Sequence, residues 1–139
     1  MNQMRCTLDA CALLAFLNDE EGADSIEELL IATHAGNASV SMSIINLLEV
    51  YYGEMRDKGE EIAKIVLDTV QHYSIKIVNE ISGQAFHEAA RLKATYRISL
   101  ADSIGIAIAN ELASQYVTSD HHELEIIAKN EPIPFFWFR

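Results

Sequence analysis

Met4-Arg5-Cys6-Thr7-Leu8 reads as a short strand, and Ala10-Cys11-Ala12-Leu13-Leu14-Ala15-Phe16-Leu17, joined to it through Asp9 alone, reads as a buried helix. The same strand-to-helix step recurs along the chain. Ala38 to Ser41 is strand-like and leads into a helix from Ile44 to Asp57, closed off by Gly59. Gln115 to Thr118 is a strand followed by a helix from His121 to Lys129. Between these units the spacing predicts helices over Ser25–Ala35, Glu60–His72, Gly83–Tyr96 and Leu100–Ser114, a strand over Ser74–Val78, and a final aromatic strand over Ile133–Phe138. Strands separated by helices imply βα crossovers, hence an α/β fold with a mainly parallel sheet and helices on both faces.

Composition sets the outer limits. The chain has 139 residues, ten Lys+Arg against twenty-one Asp+Glu for a net charge of −11, and is 50% hydrophobic. That length suits one core, so a single domain over 1–139 is expected, and the composition excludes a disordered chain. Acidity argues against nucleic acid held by a broad basic face. No apolar run approaches the ~18 residues of a bilayer span. Ala10 to Leu17 resembles a signal-peptide core, but Asp9 precedes it, Asn18-Asp19-Glu20-Glu21 follows, and a small-residue cleavage site is missing. Cys6 and Cys11 are too few for a disulfide framework and lack the partners of a zinc site. A reduced, cytoplasmic protein is expected.

In open parallel sheets ligands gather beyond the carboxyl ends of the strands, where strand order reverses. Asp9 and Asp120 fall at two such ends. Two more acids have apolar surroundings: Glu49 within Ile44–Tyr52, and Asp102 ahead of Ile104-Gly105-Ile106-Ala107-Ile108. Each has a plain structural explanation. Asp9 and Asp120 can cap the helices behind them, Ser99-Leu100-Ala101-Asp102 fits a capping box, and Glu49 shares a stripe with Asn46, Gly53 and Arg56 that reads as a solvated face. Taken together these explanations weaken. Two carboxylates ~5 Å apart repel by roughly 3 kcal/mol at an effective dielectric of 20. Four in one cleft must share a proton or a cation. An all-oxygen set suits one or two Mg²⁺ or Mn²⁺, and the matching chemistry is metal-assisted phosphodiester hydrolysis.

Asp9-Ala10-Cys11, Leu48-Glu49-Val50-Tyr51-Tyr52-Gly53, Ile98-Ser99-Leu100-Ala101-Asp102 and Val117-Thr118-Ser119-Asp120 together resemble PIN domains, in order and with the family's spacing. The nearest subgroup is the VapC-type ribonuclease toxins of prokaryotic toxin–antitoxin pairs. The resemblance implies a three-layer α/β/α sandwich and a pocket binding one or two Mg²⁺ or Mn²⁺. It also implies hydrolysis of single-stranded RNA, a homodimer and inhibition by a cognate antitoxin. Carried over by position, Asp9, Asp102 and Asp120 are metal ligands, Glu49 is a ligand or helps activate water, and Thr118 orients the last acid or a metal water. Cys11 departs from the Ser, Thr or Asn common in the family, which implies altered hydrogen bonding beside the pocket.

Other residues carry weaker signals. His121-His122-Glu123 with Glu125 does not make an H-E-x-x-H motif and reads as surface or capping residues. Tyr51, Tyr52 and Phe135-Phe136-Trp137-Phe138 read as core. Arg91, Lys93 and Arg97 fall within seven positions that hold no acid, and read equally as a solvated helix end or as a phosphate clamp beside the metals. A dehalogenase-type phosphatase needs a second Asp where Cys11 stands, and a phospho-acceptor module needs paired acids after the first strand. A catalytically silent acidic pocket that docks a protein partner stays open. Setting the four pocket acids aside still leaves a balance of −7, with seven of the twenty-one acids before residue 30. RNA would then be held by metal and a small basic patch, and a basic antitoxin segment would be favoured.

Overall fold

The computed structural model describes residues 3–139. Five strands, β1 (Met4–Leu8), β2 (Ala38–Ser43), β3 (Lys76–Val78), β4 (Gln115–Thr118) and β5 (Phe135–Trp137), form one parallel sheet in the order β3-β2-β1-β4-β5. The helices are α1 (Ala10–Leu17), α2 (Ala23–His34), α3 (Ile44–Lys58), α4 (Glu60–His72), α5 (Gly83–Thr95), α6 (Leu100–Glu111) and α7 (His121–Asn130). The chain adds strands in one direction from β1 to β3 and in the other from β4 to β5. Strand order therefore reverses between β1 and β4, and the crevice beyond their carboxyl ends is the switch point of the sheet.

Register divides the sheet into unlike faces. Cys6 pairs with Val40 and Leu8 with Met42 and Val117, so these apolar side chains share one face, where Leu13, Ile26, Leu30 and Val50 cover them. The alternate positions Thr7, Ser39, Ser41, Ser43, Tyr116 and Thr118 lie on the other face. There Leu92, Ile106, Leu124 and Ile127 pack with Tyr116. One face is thus hydrocarbon, and the other is rich in hydroxyls.

Several element ends differ from the sequence reading. The strand expected from Ser74 starts at Lys76, because Ser74 takes a left-handed turn (φ 58°) and Ile75 N–H still donates to Val70 carbonyl in the helix end. Helix α6 stops at Glu111 rather than Ser114: Ala113 is left-handed (φ 52°), and Ser114 N–H returns to Ala109 carbonyl. Pro132 and Pro134 shorten the last strand to Phe135–Trp137. Helix α2 begins two residues early at Ala23, from Gly22 (φ 87°), where a β-carbon would lie 2.6 Å from the Phe138 carbonyl oxygen. That close approach ties the end of the chain to the α1–α2 turn.

Gly105, inside α6, has a different reason to lack a side chain. A β-carbon there would sit 2.8 Å from both Asn46 Nδ2 and the Tyr116 hydroxyl, two buried groups that cannot move aside. Gly105→Ala is expected to destabilise the fold by about 1–3 kcal/mol, the usual range for overpacking. Urea unfolding measures this, and an unchanged midpoint would contradict the packing described.

Candidate metal centre

Three helix N-termini meet at the switch point, and each carries an acid. Asp9 ends β1 and caps α1: its Oδ1 accepts from Ala12 N–H (2.8 Å), while its own N–H donates to Val117 carbonyl (3.1 Å) and ties the end of β1 to β4. Asp120 caps α7, its Oδ1 accepting from Glu123 N–H at 3.0 Å. Asp102 lies in the first turn of α6, where Ser99 Oγ accepts from Asp102 N–H and lies 3.0 Å from Asp102 Oδ2. The capping explanations therefore hold, and they do not compete with convergence, since a cap engages only part of a carboxylate. Asp102, Asp120 and Glu123 each offer a side-chain oxygen, and the three oxygens lie within 4.8 Å of one another.

Neighbours fix these carboxylates in place. The Tyr116 hydroxyl donates to Asp102 Oδ1 at 2.7 Å. Burial, with the charges of Asp102 and Asp9, holds its pKa well above the usual phenol value, so it remains a donor. Thr118, fully buried, accepts from Asp120 N–H at 3.1 Å, and its hydroxyl also bonds the Asp9 carboxyl. Glu123 Oε1 accepts from Ser99 N–H, which joins α7 to the start of α6. Asn46 is buried on α3; its amide nitrogen lies 3.4 Å from the Tyr116 hydroxyl, and its Oδ1 has no hydrogen-bond partner.

The electrostatics follow from this crowding. Asp9 is only 3% exposed, and its pKa rises to about 7. Burial is the largest cause, the bonds from Thr118 and Ala12 pull it down, and the charges of Asp102 and Asp120 push it up again. Glu49 is raised by burial and then by Asp102 and Glu123. Glu123 is raised by burial and by Asp102 and Asp120, against the lowering bond from Ser99. The donor set consists of carboxylate oxygens with an unpartnered amide oxygen nearby, at three helix N-termini. It fits a hard divalent cation such as Mg²⁺ or Mn²⁺.

The residues singled out in the sequence fall into groups. Asp102 and Asp120 come together with Glu123, while Asp9 lies outside that three-oxygen group, beside Thr118 and within the field of Asp102 and Asp120. Glu49 is half-buried on α3, within the field of Asp102 and Glu123 but outside the three-oxygen group. Its stripe is not a solvated face, because Asn46 is buried. Cys11 is exposed as a residue, yet desolvation and then the charges of Asp9, Asp102 and Asp120 push its thiol to about 12, so it stays protonated beside the pocket. Arg91 is engaged by Glu88 and Glu131 (2.7 and 2.8 Å), and Lys93 donates to Ile98 carbonyl at 2.6 Å. Arg97 makes no side-chain ion pair among the described residues and lines a cleft of about 500 Å³ with His122 and Glu123. His121 stacks on Trp137, with its ring nitrogens on Glu125 and the Arg139 carbonyl (2.8 Å each). Glu123, Tyr116 and Asn46 join the site without having stood out in the sequence. Only Glu123 carries a local signal there, three positions after Asp120 as in a capping box.

Comparison with known proteins fits this geometry. The family model described as PIN domain matches residues 6–130. DNA-bound VapBC from Salmonella typhimurium superposes with a TM-score of 0.74 at 18% identity, over 99% of this chain and 100% of that one. VapBC2 from Rickettsia felis, bound to a DNA fragment from its promoter, gives 0.72 at 21% identity over 95% and 96%. VapC20 from Mycobacterium tuberculosis, described as a sarcin–ricin loop cleaving toxin, gives 0.61 at 13% identity over 79% and 85%. At such identities the likeness shows the fold. No curated protein matches by sequence.

A carboxyl whose folded pKa lies above its unfolded value binds more protons folded than unfolded between the two. Its contribution is therefore present at low pH and lost as pH rises through the folded value. For Asp9 the window runs from 3.8 to about 7. Without divalent metal, Asp9→Asn is expected to raise the melting temperature at pH 8 and to change it much less at pH 5. Equal effects at both pH values in a thermal scan would contradict the burial of an ionisable Asp9.

Proposed function

The chain belongs to the PIN domain family, and we propose that it is a metal-dependent endoribonuclease that hydrolyses single-stranded RNA, the toxin of a type II toxin–antitoxin pair. The observation that carries the reading is the meeting of Asp102, Asp120 and Glu123 oxygens within 4.8 Å at the switch point of a parallel sheet. The family's nuclease chemistry requires an acidic group of this kind. Residues 1–139 act as a single nuclease domain in this reading.

Asp102, Asp120 and Glu123 would hold Mg²⁺ or Mn²⁺, with Asp9 and Glu49 completing the acidic wall. A bound divalent ion supplies stabilisation of the charge that develops on the phosphodiester and lowers the pKa of water. The residues of the chain do the remaining work. Tyr116 and Ser99 fix Asp102, and Thr118 fixes Asp120 and Asp9, so the carboxylates stay close despite their repulsion. Glu49, at the edge of the group, is assigned the proton of the attacking water. Attack in line on phosphorus releases the 3′ oxygen and leaves a 5′-phosphate. Arg97, in the cleft that shares Glu123, contacts the flanking backbone. Of the three basic residues near α6 it is the one without a side-chain partner among the described residues, so binding rests on few cations and carries a shallow salt dependence.

The partners follow from the same reading. Solved relatives include toxin–antitoxin complexes, and a net charge of −11 favours a basic antitoxin segment. A homodimer is supported by an apolar cleft of about 460 Å³ between α5 and α6, where Phe86 and Leu100 are about three-fifths exposed. Among the described residues no helix is long and apolar enough to cross a membrane. Two unpaired cysteines suit a reduced, cytoplasmic setting.

Purified protein incubated with a mixed RNA pool tests the activity. Cleavage is expected with Mn²⁺ or Mg²⁺, to stop with EDTA and to return when metal is restored. Asp102→Asn and Asp120→Asn are expected to lower the rate by about a hundredfold or more, the scale of several kcal/mol of lost charge stabilisation. Cleavage that survives EDTA, or that survives in both folded variants, would overturn the proposal.

A further inference from the structure

A second polar site lies at the opposite end of the sheet. Arg5 pairs in register with Ser39, Thr7 with Ser41, and Ser41 with Lys76. Side chains alternate along a strand, so Arg5, Thr7, Ser39, Ser41 and Lys76 all project from one face, the hydroxyl-rich one. Near the amino ends of β1–β3 this face opens into a cleft of about 190 Å³ lined by Arg5, Ser39, Ser41, Lys76, Leu112 and Ser114. From strand spacing, the Arg5 and Lys76 α-carbons are separated by about 12 Å, a span two long cationic side chains can close over a small anion.

The cations there are available. The side chains of Arg56, Lys58, Lys64, Arg91 and Arg139 are all engaged with acids. Arg5 and Lys76 make no side-chain ion pair or hydrogen bond among the described residues. The Ser39 and Ser41 hydroxyls likewise have no side-chain partner there, although Ser41 is only 5% exposed. Ser114 is already engaged, with Thr7 Oγ1 at 2.6 Å and the Ala109 carbonyl, near the end of α6, at 3.2 Å. The acids Glu80 and Glu111 line a separate cleft that shares Lys76 and Leu112 with this one, and Glu111 accepts from Ser82 at 2.7 Å. Two free cations and two free hydroxyls around one small cleft are unusual in a chain of net charge −11.

We propose that this cleft binds a phosphate group between Arg5 and Lys76, with Ser39 and Ser41 donating to its oxygens. Charge-assisted bonds of this kind are the strong ones, and tetrahedral anions accept several at once. A neighbouring cleft of about 650 Å³ shares Arg5 and Ser114 and has room for an organic group carried on the phosphate. The site stands about 13 Å along β1 from Asp9, so it does not depend on the acidic centre or on the activity assigned to it.

Titration of the metal-free protein, followed by calorimetry and by backbone amide NMR, tests the site with two probes, sodium phosphate and a 5′-mononucleotide. Saturable binding is expected, with shifts at Arg5, Ser39, Ser41 and Lys76. Arg5→Ala and Lys76→Ala are each expected to weaken it about tenfold, without changing the melting temperature. Tighter binding of the nucleotide would support the site and assign it to a nucleotide phosphate, and equal binding would support it and assign it to free phosphate. No saturable binding of either probe would overturn the proposal. So would undiminished binding in the double variant, or shifts confined to Asp9, Asp102 and Asp120.

Discussion

The repulsion among carboxylates gathered at the ends of β1 and β4 is the constraint on which the rest of the structure turns. At ~5 Å each ionised pair costs roughly 3 kcal/mol at an effective dielectric of 20. The fold opposes this with three helix N-termini, whose caps contribute about 0.5–2 kcal/mol each, and with donors from Tyr116, Ser99 and Thr118. These terms offset only part of the repulsion. Burial first, and this remaining repulsion after it, raise the pKa values of Asp9, Glu49 and Glu123. A divalent cation would relieve both the repulsion and the proton uptake, and the acidic group has the oxygens to hold one.

Much of this arrangement is legible in the amino-acid sequence. Strand–acid–helix steps at Asp9 and Asp120 mark the carboxyl ends of β1 and β4, and the reversal of strand order between those two strands brings the acids together. Local signals mark Asp9 and Asp120 as helix caps and Asp102 as a first-turn acid, because a helix N-terminus is a local structure. What stays hidden in the sequence depends on long-range contacts. Arg91 looks unopposed there because one partner, Glu131, is 40 residues away and the other, Glu88, is one helical turn before the acid-free stretch. Asn46 looks solvated because its burial arises from α3 packing beside Tyr116, 70 residues on. Glu123 reads as part of a histidine-rich helix start, and its role emerges only when α7 is laid against Ser99 at the start of α6.

The unequal faces of the sheet connect the two ends of the molecule. Cys6, Leu8, Val40 and Met42 give one face a hydrocarbon core, while the alternate positions give the other face Thr7, Ser39, Ser41, Tyr116 and Thr118. At the carboxyl end, Tyr116 and Thr118 of that second face hold acids in place. At the amino end, its serines lie between Arg5 and Lys76, which make no side-chain ion pair among the described residues. A single period-two pattern thus supplies hydroxyls to an acidic site and to a basic one, and the charge that each attracts is set by the residues at the strand ends.

The central claim, that Asp102, Asp120 and Glu123 form one cation site, is tested most directly by titrating Mn²⁺ into the protein in the absence of RNA. The wild type is expected to bind saturably, and Glu123→Gln to bind about tenfold more weakly or worse while keeping its fold, as loss of one charged ligand in a shared site requires. Unchanged Mn²⁺ affinity in Glu123→Gln would contradict the claim.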